Sequence, residues 1–128
     1  MIKVNALLPA DNIYQDYATN KFILAGIYHS IQVPELPYLY GNTLNVYCSV
    51  MHNEPETSLI LAIVHPETEQ IVTETEAFQL PENEVGNPLE FIVEFADFEV
   101  QNKGMHIIQV YAEDEVIFEA PLFVETEE

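Results

Sequence analysis

Short apolar segments separated by turn residues constrain the fold of this chain more than any other feature of its sequence. Eight such segments occur in the 128 residues, and β-branched and aromatic side chains dominate them. Proline, glycine, asparagine or acidic residues stand between them, as they do at strand boundaries. No window has the sustained spacing of apolar residues that a helix requires. The predicted strands cover residues 2–8, 22–33, 44–51, 58–65, 71–78, 89–98, 105–112 and 116–124.

Alternation along these segments indicates which face of each strand is buried. In segment 89–98 four apolar side chains share one face, while Glu90 and Glu94 lie on the other, as in a half-buried antiparallel strand. Residues 1–124 are therefore expected to form one all-β domain, a sandwich or a barrel, with residues 125–128 as a frayed acidic tail. Loops are expected at residues 53–56 and 81–88, and a tight hairpin at Glu113-Asp114-Glu115.

The charge of the chain is extreme and unevenly distributed. Twenty-two acidic side chains oppose three lysines and no arginine, which gives a net charge of −19. Residues 1–64 carry −3 and residues 65–128 carry −16, so the second half must present a strongly negative surface. Such a surface repels phosphate backbones and anionic lipids, and we therefore expect neither nucleic-acid binding nor membrane binding.

The cellular compartment is predicted from cysteine usage and from the first residues. The single cysteine, Cys48, cannot form an internal disulfide, which agrees with a reducing compartment. The opening residues do not resemble a signal peptide, because Asn5 interrupts a short apolar run and Asp11 follows it. No segment approaches the roughly 18 apolar residues of a membrane span. We expect a cytoplasmic protein.

No residue pattern in the chain carries a catalytic or metal-binding prediction. The four histidines show no local ligand spacing, and structural roles are expected for them. Calcium binding by the acidic residues 11–16 or 113–115 stays an alternative, although neither segment matches a calcium loop with its glycine. Cys48 alternates with Leu44, Val46 and Val50, which predicts a core position. We therefore predict no cofactor, no metal site and no enzymatic activity.

Two apolar features raise the question of a partner. The connection between Pro34 and Tyr40 contains Leu36, Tyr38, Leu39 and Tyr40, and tyrosine is a frequent interface anchor. These four residues are the candidate interaction surface, with packing against one end of the domain as the alternative. Segments 22–28 and 59–64 are apolar on both faces, so either another part of the chain or a second chain must cover them.

Two stretches of the sequence resemble a known family. The first runs from Ala10-Asp11-Asn12 through Ala25-Gly26-Ile27 to Leu36-Pro37, and the second from Gly104-Met105-His106 through an acidic turn to Pro121-Leu122-Phe123-Val124. They resemble a family of small bacterial proteins known only as a domain of unknown function. The resemblance implies an immunoglobulin-like antiparallel β-sandwich of seven to eight strands, of bacterial or phage origin, and no assigned activity.

The chain departs from the family pattern at two turns. His106 stands where the family often has a tyrosine like the tyrosine corner of sandwiches, and Asp114-Glu115 stands where it usually has Asp-Gly. Both departures concern turn detail rather than the fold.

Two functions remain open at the level of sequence. The first is a non-enzymatic interaction or structural module, which would bind a protein partner or associate with itself. The alternative is an acidic nucleic-acid mimic that inhibits a basic host protein, since the −16 half could space carboxylates like phosphates.

Overall fold

The computed structural model describes residues 2–52, 58–80 and 88–127, and these ranges contain strands, turns and no helix. The all-β prediction is therefore confirmed. The described ranges contain twelve strands: β1 (Ile2–Gln15), β2 (Phe22–Ile27), β3 (Ser30–Val33), β4 (Tyr38–Tyr40), β5 (Leu44–His52), β6 (Ser58–His65), β7 (Gln70–Glu74), β8 (Phe78–Gln79), β9 (Leu89–Phe95), β10 (Phe98–Val100), β11 (Gly104–Ala112) and β12 (Glu115–Thr126). The expected loops at 53–56 and 81–88 lie outside the described residues, except for Pro88.

The strands of the described residues form three sheets. A four-stranded sheet has the order β2-β1-β5-β9, and β4 pairs with β10 in a small two-stranded sheet. The third sheet has the order β3-β12-β11-β6-β7, with β8 also paired to β6. Its β3–β12 pair is parallel, from Ser30 opposite Phe123 to Val33 opposite Thr126. The expectation of a purely antiparallel architecture is therefore wrong at this one pair.

One hydrophobic core joins the three sheets. Its buried residues come from β1 and β5 and β9 of the four-stranded sheet, from β3, β6, β11 and β12 of the larger sheet, and from β10. The alternation predicted for segment 89–98 holds, because Val93 and Phe95 are buried while Glu90 and Glu94 are exposed. Burial of such apolar area stabilises the fold by about 25 cal/mol per Å² removed from water.

The number of strands differs from the expected seven to eight because long apolar segments divide. Segment 22–33 contributes β2 to one sheet and β3 to another, and the break follows Gly26, whose φ is +74°. Residues with a side chain rarely adopt this positive φ, and a Cβ atom at Gly26 would also require the Asp11 carboxylate to move, so glycine is strongly favoured there. Segment 89–98 divides in the same way, into β9 of the four-stranded sheet and β10 of the small sheet, whereas β7 and β8 of segment 71–78 both pair with β6. The strand β4 lies outside every predicted segment.

Both ends of the chain contain more strand than expected. β1 continues beyond the predicted strand 2–8 as far as Gln15, because residues 12–15 pair with β2. Residue 125 was expected to begin a frayed tail, but β12 extends through Thr126 because Glu125 and Thr126 pair with Gln32 and Val33. The predicted last hairpin is present, and its turn residues Glu113 and Asp114 have φ of +51° and +66°.

Candidate interaction surfaces

The segment singled out from sequence divides into three inward residues and one outward residue. Leu36, Tyr38 and Tyr40 are half-buried and pack against the core, whereas Leu39 is 60% exposed. The Tyr40 ring stacks on Phe98 with 5.2 Å between ring centroids. Burial, with the charge of Asp11, raises the pKa of Tyr40. The two tyrosines therefore close one end of the core, and Leu39 alone of the four projects into solvent.

The short strand pair β4–β10 explains this division. Tyr40 lies opposite Phe98, Leu39 opposite Glu99 and Tyr38 opposite Val100. Phe98 and Val100 are buried and Glu99 is exposed, so the two tyrosines share the inner face and Leu39 shares the outer face with Glu99. The period of two in this strand could not be recognised from sequence, because the strand has three residues and all three side chains are aromatic or apolar.

Two histidines meet inside the protein. The rings of His65 and His106 lie 4.9 Å apart between centroids, and both residues are buried. The imidazole of His65 hydrogen-bonds through Nδ1 to Thr68 Oγ1 at 2.8 Å, and that of His106 through Nδ1 to the Gly104 carbonyl at 3.0 Å. His106 Nε2 is buried without a hydrogen-bond partner. Burial, opposed by the Gly104 bond and reinforced by His65, lowers the pKa of His106.

The remaining candidates for chemistry are dispersed. Cys48 is fully buried, and this burial raises the pKa of its thiol to about 12. Asp16 accepts hydrogen bonds from the backbone N–H and the hydroxyl of Thr19, and the hydroxyl bond lowers its pKa. Across residues 2–52, 58–80 and 88–127, no group of three His, Cys, Asp or Glu side chains is placed to hold a metal ion.

The two strands with apolar side chains on both faces have opposite environments. In β6, Leu61 and Ile63 face the core, and Ala62 and Val64 on the other face are also at most 9% exposed, so the chain covers both faces itself. In β2, Ile23 and Ile27 are both 51% exposed. Of these two strands, β2 is therefore the one that leaves large apolar side chains exposed to solvent.

Exposed apolar residues of β2 continue onto the turn that precedes it. Tyr14 lies opposite Ile23 in the β1–β2 pair and is 54% exposed, and Tyr17 in the turn is fully exposed. The turn is held by the bonds between Asp16 and Thr19 and by the backbone N–H of Asn20, which donates to the Asp16 carbonyl at 2.8 Å. We call Tyr14, Tyr17, Ile23 and Ile27 the hairpin surface.

The sequence pointed to half of the hairpin surface. Segment 22–28 is apolar on both faces in the sequence, but Tyr14 and Tyr17 lie outside every predicted strand. The pairing of β1 with β2 places Tyr14 beside Ile23, nine positions away in the chain. Register of this kind depends on the turn, and the turn depends on a hydrogen-bonded Asp16.

The charge around the hairpin surface differs from that of the rest of the molecule. Residues 10–28 contain Asp11, Asp16 and Lys21, a net charge of −1 in a chain of −19. By contrast, every acidic residue between positions 65 and 127 that the structure describes is exposed. Among the described residues no lysine lies within 4.0 Å of a carboxylate, so no lysine there neutralises these charges by direct pairing.

Comparison with known families identifies the chain. A family model described as "Family of unknown function (DUF6941)" matches residues 5–125. The chain belongs to this family. The match covers both stretches that carry the resemblance in the sequence, and it confirms the prediction that the family is one of unknown function. No curated protein matches the chain.

A solved structure resembles the fold. The chain is similar to a part of "Pseudomonas fluorescens alkylpurine DNA glycosylase AlkC bound to DNA containing an abasic site analog", with a TM-score of 0.57 and 14% sequence identity. The similarity covers 97% of this chain and 30% of that chain. At this identity the likeness concerns the fold alone. No helix within the described ranges is long and apolar enough to cross a membrane.

Proposed function

We propose that this protein is a non-enzymatic interaction module, built on an immunoglobulin-like sandwich, that binds another protein through the hairpin surface. The module is bacterial or phage-associated and works in the cytoplasm. The observation that carries the proposal is the half-exposed pair Ile23 and Ile27 on β2, beside Tyr14 and Tyr17.

The position of β2 in its sheet supports this role. Within the described part of the chain β2 pairs with β1 alone and forms one edge of the four-stranded sheet. An edge strand presents unpaired N–H and C=O groups, and proteins that do not use such an edge usually protect it with charge. β2 carries no charged side chain between Phe22 and Ile27. An edge that is both apolar and unprotected is suited to strand addition by a partner.

The low charge of the hairpin also favours association there. Burying a charged group at an interface carries a desolvation cost, and interface cores are depleted in charged residues. With a net charge of −1, the hairpin is a part of the molecule where contact requires little desolvation of carboxylates. Tyr14 and Tyr17 add large side chains of the type that anchors interfaces.

The test replaces both isoleucines of the hairpin surface. The I23S/I27S variant should keep the folded β spectrum but lose any dimer detected by light scattering and any partner crosslinked in the parent cell. M105S/V116S is the matched control, since Met105 and Val116 are 48% and 43% exposed on other strands. If the wild-type protein is a monomer and crosslinks to nothing, or if both variants behave alike, the hairpin surface has no such role.

The exposed carboxylates favour a second candidate function, nucleic-acid mimicry. The acids of the second half face solvent without lysine partners, so a basic protein could meet them as it meets phosphates. Binding of the DNA-binding proteins of the parent cell should then weaken steeply as salt increases and should compete with duplex DNA. Binding that is insensitive to salt would exclude mimicry while leaving the hairpin surface untouched.

A further inference from the structure

A groove opens on the larger sheet, away from the hairpin surface. It has a volume of about 400 Å³ and lies between the turn at Glu113-Asp114 and the start of β6. Its apolar lining comes from Ile60, Ile71, Ala77 and the ring of Tyr111. Glu74, Glu113 and Asp114 border it with carboxylates.

The floor of the groove is a built part of the sheet. Ile60 of β6 lies directly opposite Tyr111 of β11, and both are half-buried. The Tyr111 hydroxyl donates to Gln109 Oε1, and the Gln109 amide donates to Glu119 at 2.9 Å. These bonds hold the tyrosine side chain in place. Ile71 is 52% exposed, which leaves apolar surface open at the edge of the groove.

The three carboxylates are positioned by backbone structure. Glu113 and Asp114 occupy both central positions of the two-residue hairpin turn, where positive φ values leave little freedom. Glu74 lies opposite Ala62 in the β6–β7 pair, because Val72 is an extra residue between two pairs and shifts the alternation of β7. Exposed acids are common on this protein, but these three surround a cavity with an apolar floor, and this combination distinguishes them.

We infer that the groove binds a single arginine or lysine side chain from a segment of a partner protein. This inference rests on the proposed role as an interaction module. The aliphatic stem of a basic side chain would contact Ile60 and Ile71, as such stems do on apolar surfaces. Its cationic group would meet Glu74 and Asp114, and a guanidinium can bond carboxylates in pairs while stacking on a ring such as that of Tyr111. At about 400 Å³ the groove has room for one such side chain.

The net charge of the chain indicates whether the basic side chain comes from a second copy or from a different protein. A second copy would bring a net charge of −19, no arginine and three lysines. Two of these lysines, Lys3 and Lys21, lie in the four-stranded half of the molecule, beside or within β1 and β2. Mutual repulsion of two such chains opposes docking at an acidic groove. The complementary occupant is a basic segment of a different protein.

The experiment measures binding of a blocked glycine-flanked arginine peptide to the whole protein at low ionic strength, by chemical-shift perturbation or calorimetry. The groove variant E74Q/D114N removes two rim charges, and asparagine tolerates the positive φ of Asp114. E125Q/E127Q is the matched control, with the same change in net charge at two exposed acids that do not line the groove. We expect affinity to fall by about tenfold or more in the groove variant and to stay near wild type in the control.

Two results would overturn the inference. Equal weakening in the groove variant and the control would mean that the peptide responds to diffuse charge. Absence of binding to the wild-type protein at millimolar peptide would mean that no site exists. Loss of affinity in I71S, with folding retained, would further support the apolar floor. None of these outcomes depends on Ile23 or Ile27, so the hairpin surface is tested separately.

Discussion

One buried polar side chain in the core, that of His106, affects the stability of the protein. His106 occupies the inner face of β11 at 1% exposure, and its Nε2 atom has no hydrogen-bond partner. A buried unpaired polar atom costs about 1–3 kcal/mol. A proton added to this ring would also place a charge beside His65 and away from water. The folded state therefore favours the neutral form of His106, and the stability of the protein depends on pH as a result.

Stability should fall as the pH decreases below the ordinary histidine pKa of about 6.5. The folded-state pKa of His106 is lowered, so in this range the unfolded chain binds a proton that the folded chain does not. The contribution of neutral His106 to the free energy of unfolding is present above pH ~6.5. It decreases as the pH is lowered, by no more than about 1.4 kcal/mol per pH unit. Urea unfolding of wild type and H106F at about pH 7 and about pH 5.5 measures it.

The variant H106F should show a smaller loss between the two pH values than wild type does. I108V on the same strand is the control, because it reduces core packing and leaves the imidazole in place. Equal pH dependence in all three proteins would mean that His106 does not control acid stability.

At the scale of elements, similar sequences acquire different roles from their positions in the sheets. Both β2 and β6 are short and apolar on both faces. β6 lies between β11 and β7 in the larger sheet, whereas β2 lies at the edge of the other sheet. Central position gives β6 neighbours on two sides and buries its outer face. Edge position leaves β2 with one neighbour and exposed isoleucines.

Truncation of one apolar side chain in each strand should separate their roles. L61A removes a fully buried side chain and should cost about 2–5 kcal/mol of unfolding free energy, because a cavity remains. I23A removes a half-exposed one and should cost less than about 1 kcal/mol, as for surface positions. Denaturant unfolding of both variants checks the difference, and comparable losses would mean that β2 is structurally as important as β6.

The hairpin between β11 and β12 uses residues that are poorly suited to its geometry. Glu113 has φ of +51°, a conformation that costs a residue other than glycine, asparagine or aspartate about 1–2 kcal/mol. Glycine removes this cost but loses more chain entropy on folding, about 0.5–1 kcal/mol. E113G should therefore stabilise the protein slightly, by about 0.5–1 kcal/mol.

The neighbouring strand residue supplies the control. Glu115 begins β12 and has no positive φ, so E115G should destabilise by a similar amount. Thermal unfolding of the two variants should show melting temperatures shifted in opposite directions. A shift in the same direction for both would indicate that turn geometry is not what limits this hairpin.

At the scale of the whole molecule, electrostatic repulsion opposes the packed core. The net charge is −19, and the described acids of the second half are all exposed. Compaction brings these carboxylates closer together than they are in the unfolded chain, and this costs stability. The cost is distributed over the surface, so no single carboxylate accounts for it.

Added salt should therefore stabilise the protein. Increasing ionic strength from about 0.01 M to about 1 M shortens the screening length from ~30 Å to ~3 Å. We expect an increase of about 1 kcal/mol, or several degrees in melting temperature, measured in sodium chloride. A variant with several second-half acids changed to glutamine should respond less. A melting temperature independent of salt would mean that the repulsion has little influence on folding.

The sequence alone determined the all-β class, most strand positions and the family. It also determined which side chains of segments 44–51 and 89–98 are buried, and it placed Cys48 in the core. These properties follow from period-two alternation and from turn residues, which act over a few neighbouring positions. Features that depend only on neighbouring residues can therefore be predicted from the sequence.

Only the tertiary structure decided how the strands meet and which apolar residues stay exposed. The division of segment 22–33 between two sheets, the parallel β3–β12 pair and the groove at Tyr111 all join residues that are far apart in the chain. The same holds for the inward turn of Tyr38 and Tyr40 against Phe98. An apolar side chain is buried only if another part of the chain packs over it. Which part does so depends on the pairing of strands that are distant in sequence.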